Sequence, residues 1–145
     1  MRTKPFLLGF FAVVVAIAAV SIYVNETVEK TDKIVTAVAS PDGRYKAVRV
    51  SLARGAAEPF CFDTISVFLS VYPDSFAESD NAYEVYAAPC ASPSSRAALP
   101  HIEWLSDEVV RITYPASAMA ADTMKMRTKP LDASKFVHLT FAAAP

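Results

Sequence analysis

The chain has 145 residues, and its 14 Lys and Arg residues nearly balance its 15 Asp and Glu residues, giving a formal net charge of −1. This balance argues against a nucleic-acid-binding protein, because such proteins carry a strong excess of basic side chains. The length allows one domain at most. Hydrophobic residues make up 53% of the chain, and many of them lie in the N-terminal segment.

Residues 6–24 form an apolar segment without a charged side chain, FLLGFFAVVVAIAAVSIYV. As a helix this segment would span about 28 Å, close to the hydrocarbon thickness of a bilayer. Because Arg2 and Lys4 precede it, we expect a cytoplasmic N-terminus and a domain on the outer face of a bacterial inner membrane. The alternative is a signal peptide whose cleavage site is supplied by the small residues Ala16, Ala18 and Ala19, which would leave a soluble periplasmic protein.

These features divide the chain into an anchor or signal peptide at 1–24, a polar stem at 25–33 and an exported domain at 34–145. Short alternating segments recur between turn residues in the exported domain. They predict a mainly β fold, an antiparallel β sandwich or curled sheet with one short helix. The turn signal Ser40-Pro41-Asp42-Gly43 predicts a hairpin at the start of the domain.

Strands are expected at residues 34–39, 44–53, 63–72, 82–87, 102–105, 109–114 and 136–141. The fifth and sixth of these are either a strand pair or one strand with a bulge. Region 74–81 is expected to be a polar loop. Region 116–126 favours a helix by propensity, with an ordered loop as the alternative. Trp104 is the only tryptophan, and we expect it to be mostly buried with its N–H paired.

The segment at 63–72 has the clearest alternation in the chain, and it predicts a candidate contact surface. Its even-numbered positions include Phe68 and Tyr72, on the face opposite the aliphatic side chains. If exposed, these two rings would bind a partner. The alternative is that they pack inside the domain beneath the segment at 116–126.

The two cysteines, Cys61 and Cys90, both follow the apolar segment. In an oxidising compartment we expect them to form a disulfide. A zinc site would also need His101 and His138, and these spacings match no structural zinc pattern. The sequence therefore assigns no metal site.

No enzyme motif is present, and each histidine stands alone in its segment. The acidic residues at 74–80 match no calcium-loop spacing and are expected to form a solvated loop. We therefore assign no catalytic residue and no cofactor, and we expect a protein that is not an enzyme.

The segments SPDGRYKAVRV, DTISVFL and IEWLSDEVVRITYP together resemble small bacterial envelope proteins of unknown function. Those proteins share an S-P-D-G-x-Y-x-A strand pair and a late W-L-S strand. The resemblance runs with gaps from Ser40 to Tyr114, and it implies a compact β domain behind an N-terminal apolar segment. The turn that carries a cysteine in those proteins has Arg54-Gly55 here, and Cys61 comes later.

Taken together, the sequence predicts a membrane-anchored envelope protein that binds a protein or another envelope component. Its expected contact with the membrane is through residues 6–24, and no nucleic-acid partner is expected. One alternative is a periplasmic inhibitor or immunity protein. Another is an unrecognised hydrolase, which would require a pocket that joins His101 or His138 to a carboxylate.

Overall fold

The structure is a computed structural model, which describes residues 31–55, 60–90, 96, 98–119 and 126–144. The expected anchor at 6–24, most of the expected stem and most of the region at 120–126 lie outside the described residues. Among the residues that are described, no helix combines the length and the apolar character needed to cross a membrane.

The described residues form two β-sheets, one short α-helix and two 3₁₀ turns. The strands are β1 (Asp32–Ala39), β2 (Tyr45–Arg54), β3 (Phe60–Leu69), β4 (Glu84–Pro89), β5 (His101–Ser106), β6 (Val109–Tyr114), β7 (Arg127–Thr128) and β8 (His138–Ala143); the helix is α1 (Phe76–Ser79) and the 3₁₀ turns are Asn81–Tyr83 and Ala116–Met119. The first sheet has the strand order β1-β2-β3-β4-β7, and the second has the order β5-β6-β8.

The prediction of a mainly β fold with antiparallel pairing is confirmed, with one exception among the described strands. β6 pairs with β8 in parallel, whereas the other pairs are antiparallel. The exception arises because the loop before β8 brings the chain back to the start of β6, where the His138 N–H donates to the Glu108 carbonyl. A parallel neighbour needs such a crossover, and alternation within one strand gives no sign of it.

The expected hairpin joins β1 to β2 through the turn at 40–44. Gly43 has a φ of +72°, a left-handed conformation that glycine adopts without steric cost. The Asp42 carboxylate accepts hydrogen bonds from the Ser40 hydroxyl (2.6 Å) and the Arg44 N–H (3.0 Å). These contacts, the Ser40 bond foremost, lower the pKa of the Asp42 carboxyl.

Several predicted boundaries are wrong by a few residues. β1 begins at Asp32, so the last two residues of the expected stem belong to a strand. β3 ends at Leu69 rather than at Tyr72, because the Tyr72 N–H donates to the Leu69 carbonyl and closes a turn there. The expected polar loop contains the helix α1. β5 and β6 form a strand pair with a register shift after Trp104.

The main core contains buried side chains from both sheets, including Ile65 and Val67 of β3 and Val110 and Ile112 of β6. Trp104 packs half-buried against this core, and its Nε1–H donates to the Val38 carbonyl at 2.9 Å, so the expected pairing of its N–H is confirmed. A second, smaller cluster covers the other face of the first sheet. It contains Val48, Val50, Phe68 and Ala77, with Leu52, Phe76 and Tyr83 packed against it.

The predicted disulfide is confirmed, because Cys61 and Cys90 are bonded with their Cα atoms 5.3 Å apart. Cys61 lies near the start of β3 and Cys90 directly follows β4. The Cys90 N–H also donates to the Cys61 carbonyl at 3.1 Å. The disulfide therefore joins two neighbouring antiparallel strands at one end of the first sheet.

Removing the disulfide should destabilise the domain. Replacement of both cysteines by Ala frees a loop of 29 residues, and the chain-entropy model predicts a loss of about 3.5 kcal/mol in unfolding free energy. Thermal denaturation of the double variant should show a midpoint lower by about 10 °C or more. The natural chain under reducing conditions should match the variant. Equal midpoints for the oxidised natural chain and the variant would contradict the stabilising role.

Candidate functional site

A buried ion pair lies on the inner face of the first sheet. Arg49 of β2 donates through Nε and Nη2 to Asp63 Oδ1 of β3, at 3.2 and 3.0 Å. The two side chains are 7% and 1% exposed. Arg49 Nη2 also donates to the carbonyl oxygens of Arg96 and Leu99. The pair therefore holds the backbone at Arg96 and Leu99 against the sheet.

A second arginine extends this cluster to the edge strand. Arg96 donates from Nε to the Ser51 hydroxyl (3.1 Å) and from Nη2 to the Ser51 carbonyl (3.0 Å). Its Nη1 donates to Asp32 Oδ2 at 2.8 Å. Arg96 is 5% exposed, whereas the Asp32 side chain is 71% exposed. We call Asp32, Arg49, Ser51, Asp63 and Arg96 the arginine cluster.

Burial governs the protonation of the groups beside this cluster. It raises the pKa of the Asp63 carboxyl, and the Ser51 hydroxyl and the Arg49 guanidinium oppose this rise. Burial, and then the nearby Asp63 carboxylate, raise the pKa of the Tyr86 phenol. Tyr86 Oη is buried without a hydrogen-bond partner among the described residues. These groups lie inside the domain, so the arrangement supports a structural role rather than contact with a substrate.

A separate cleft opens at one end of the domain. We call this end the tip; it comprises the turn at 40–44, residues 69–72, the turn at 106–108 and the loop at 130–137. Hydrogen bonds join these segments, since the Ser70 N–H donates to the Arg44 carbonyl and the Asp42 N–H donates to Asp107 Oδ1. The cleft has a volume of about 160 Å³, and its lining consists of Tyr45, Phe68, Leu69, Tyr72, Tyr83 and the turn 132–134.

Aromatic packing shapes the floor and one wall of the cleft. Phe76 of α1 stacks on Tyr72, with ring centroids 4.7 Å apart, and meets Phe68 edge-on at 5.2 Å. Tyr83 also meets Phe68 edge-on, at 6.2 Å. Such ring pairs fix each other's orientation. The wall is therefore held in place before any ligand binds.

Hydrogen bonds hold the opposite wall, which is the turn at 132–134. The Asp132 carboxylate accepts from the N–H groups of Val137 (2.9 Å) and Ser134 (3.0 Å). Lys135 then adopts a φ of +66°, the left-handed conformation that closes such turns. Because its oxygens bind the turn, the Asp132 carboxylate shapes the cleft rather than acting on a ligand.

The two residues of the predicted contact surface, Phe68 and Tyr72, differ in their exposure to solvent. Phe68 is 1% exposed, because Phe76 and Tyr83 pack over it. The condition that Phe68 is exposed is therefore not met, because its ring packs inside the domain and forms the cleft floor. Tyr72 lies beyond the end of β3 and is 40% exposed. Both residues line the cleft, so the pair that the strand pattern placed on one face belongs to one site.

Exposed apolar side chains are concentrated at the tip. Of the eight large hydrophobic side chains that are exposed in the described part of the chain, four lie there: Leu69 (38%), Val71 (82%), Tyr72 (40%) and Phe136 (61%). Monomeric proteins rarely expose large contiguous apolar patches without a binding role. The tip is therefore the strongest candidate for a contact surface.

The histidines do not meet in a pocket. His101 lies opposite Thr113 and His138 opposite Val109, at the two ends of β6. Neither residue lines the cleft at the tip. No group of three or more His, Cys, Asp or Glu side chains with metal-binding geometry occurs within the described ranges. The expectation that the protein is not an enzyme stays a prediction.

The acidic residues at 74–80 each contact a different partner. Asp74 pairs with Lys46 at 2.6 Å, and Glu78 pairs with Lys33 at 3.0 Å. Asp80 accepts a hydrogen bond from the Ala82 N–H at 2.9 Å and caps the 3₁₀ turn. These contacts tie α1 and its flanks to the first sheet.

Comparisons of the chain with protein-family models, with curated proteins and with solved structures found no match.

Removing one partner of the buried ion pair should destabilise the domain. Arg49→Met leaves Asp63 buried without its charged partner, and this should lower the free energy of unfolding by about 3–5 kcal/mol. Arg111→Met is the matched control, because Arg111 meets Glu103 at 3.6 Å with both side chains about half exposed. The control should lose less than about 1 kcal/mol. Urea denaturation measures both, and equal losses would contradict the proposed role of burial.

The pH dependence of stability should reveal the raised pKa of Asp63. In the folded state the carboxyl keeps its proton to a higher pH than in the unfolded chain. The stabilisation that Asp63 adds to the unfolding free energy is therefore fully present below the pKa of its carboxyl in the unfolded chain, about 3.8. It is lost as the pH rises through the pKa of the same carboxyl in the folded state. The unfolding free energy of the natural chain minus that of Asp63→Asn should fall over this window. A difference that rises with pH would show that Arg49 lowers the pKa instead.

Proposed function

We propose that the chain is a non-enzymatic binding protein, tethered by residues 6–24 to the outer face of a bacterial inner membrane. In this proposal the tip binds a protein partner by receiving one of its apolar side chains. The observation that carries the proposal is the aromatic cleft, together with the exposed apolar residues at the same tip.

The size of the cleft favours a side chain over a free small molecule. Its volume is about 160 Å³, whereas pockets for drug-sized ligands typically measure about 300–1,000 Å³. An apolar cavity of about 150 Å³ is enough to bind benzene. The cleft therefore accommodates one ring or one branched aliphatic group, which matches the anchor residue of a protein partner.

The composition of the tip also favours a protein interface. Tyrosine side chains are enriched at the energetic centres of interfaces, where they bury area and lose little conformational entropy. Tyr45, Tyr72 and Tyr83 all line the cleft. At the same end of the domain, Val71 and Phe136 are the most exposed large apolar side chains of the described residues. A partner that inserts a side chain would cover these side chains as well.

Filling the cleft should abolish binding of an aromatic probe. Ala133 lines the cleft and is exposed, so Ala133→Phe places a ring inside it. Ala143→Phe, at the exposed end of β8, is the matched control. Saturation-transfer NMR with N-acetyl-phenylalaninamide should detect binding to the natural chain and to the control, with a dissociation constant on the order of 1 mM. The signal should be lost with Ala133→Phe.

Two outcomes of this titration would overturn the proposed cleft. One is an equal signal from the natural chain and Ala133→Phe, which would place the probe elsewhere. The other is no signal from the natural chain at concentrations well above 1 mM, the order expected for such a probe. Circular dichroism of all three proteins confirms that the substitutions leave the fold intact.

A further inference from the structure

Among the described strands, β1 is an edge strand, and it has features that favour pairing. It lies at the end of the first sheet and pairs with β2 without a bulge over its full eight residues. Seven of these residues are exposed, Val38 being the exception. From Ile34 to Ala39 the strand contains neither a charged residue nor proline. Natural edge strands usually carry such residues, which prevent pairing with another chain.

The hairpin fixes which backbone groups of β1 face outward. The Ser40 N–H donates to the Tyr45 carbonyl at 2.8 Å, and hydrogen-bonded pairs alternate with non-hydrogen-bonded pairs along an antiparallel ladder. Residues 34, 36 and 38 therefore direct their N–H and C=O groups toward β2. Residues 33, 35, 37 and 39 direct theirs away from the sheet. Among the described strands, none pairs with this outer side.

We propose that β1 pairs in antiparallel fashion with β1 of a second copy of this chain, about a two-fold axis through Thr36. The two five-stranded sheets then become one continuous sheet. Thr36 faces its own counterpart, and the outward backbone groups of residues 33, 35, 37 and 39 bond across the axis. This is an isologous interface, the arrangement found in most homodimers.

The sequence of β1 is self-complementary in this register. Residues 34–38 read Ile-Val-Thr-Ala-Val, which is nearly palindromic in side-chain character. On one face Ile34 lies opposite Val38, and Thr36 lies opposite Thr36. Apolar pairs and threonine pairs at directly opposed positions stabilise antiparallel ladders. On the other face Val35 lies opposite Ala37.

Charge placement favours the same register. With the axis at Thr36, Lys33 lies opposite Ala39, so no like charges face each other. With the axis at Val35, the Asp32 carboxylate would lie opposite Val38 and Ile34 opposite Thr36. That register loses the Ile–Val contact and places a charge against an apolar side chain. The self-complementary register also argues for a second copy rather than a strand from an unrelated protein.

Cysteine cross-linking of the full-length chain in its native membranes tests the pairing. Thr36→Cys places a cysteine on the axis, at a non-hydrogen-bonded pair whose Cα atoms lie about 4.5 Å apart, within disulfide range. The two natural cysteines are bonded to each other, so the new cysteine reacts alone. Mild oxidation should convert the variant to a covalent dimer on a non-reducing gel.

Lys33→Cys is the matched control for this experiment. In the proposed register the two copies of residue 33 are about 20 Å apart, so Lys33→Cys alone should stay monomeric. Co-expression of Lys33→Cys with Ala39→Cys should restore a cross-linked dimer. Equal cross-linking of Thr36→Cys and Lys33→Cys would overturn the proposal, as would a product containing a different protein. Stronger cross-linking through Val35→Cys would overturn the register.

A proline variant tests the same interface without oxidation. The N–H of Ala37 points away from β2, so Ala37→Pro removes a bond across the axis and leaves the β1–β2 ladder intact. Light scattering of the full-length chain in detergent should show dimers for the natural chain and for Ala37→Ser. Ala37→Pro should show loss of the dimer. A monomeric natural chain or a dimeric, folded Ala37→Pro would overturn the proposal.

Discussion

The contact between Arg49 and Asp63 is the constraint on which much of this domain depends. It places a guanidinium and a carboxylate almost fully inside the domain, where an unpaired charge would be strongly unfavourable. The chain therefore has to bring β2 and β3 together in one register. In that register Ser51 also lies opposite Asp63, which positions its hydroxyl for Arg96. The alternation of apolar side chains specifies a register as well, and the hydrogen-bonded pair acts in the same register.

The same contact links regions that are distant in the sequence. Arg49 binds the carbonyls of Arg96 and Leu99, and Arg96 reaches back to Asp32 at the start of β1. The disulfide lies beside this cluster, with Ser51 Oγ 4.0 Å from Cys90 Sγ. The disulfide and the buried ion pair thus stabilise one end of the first sheet, and the tip lies at the other end. The tip is held by aromatic stacking and by the hydrogen-bonded turn around Asp132. Its apolar side chains stay exposed.

Much of the fold follows from local sequence. Alternation predicts the strands, the turn at 40–43 predicts the first hairpin, and two cysteines beyond an apolar segment predict the disulfide. The ion pair between Arg49 and Asp63 was not predicted, because its recognition requires the register between two strands. Alternation places Phe68 on the face opposite the main core, yet whether that face is covered depends on α1, a helix of only four residues. The cleft was missed for the same reason, since its walls come from four separate segments.

The order of the strands has a consequence for how the chain acquires its structure during synthesis. Pairing among β1 to β4 is sequential, so most of the first sheet and its disulfide can assemble while the chain is still growing. The second sheet is different, because its outer strand β8 follows all the other described strands in the chain. Until β8 docks, Val110 and Ile112 on β6 lack the cover that Val137 and Leu139 provide. Nascent or truncated chains would therefore expose an apolar surface, which makes such species prone to aggregation.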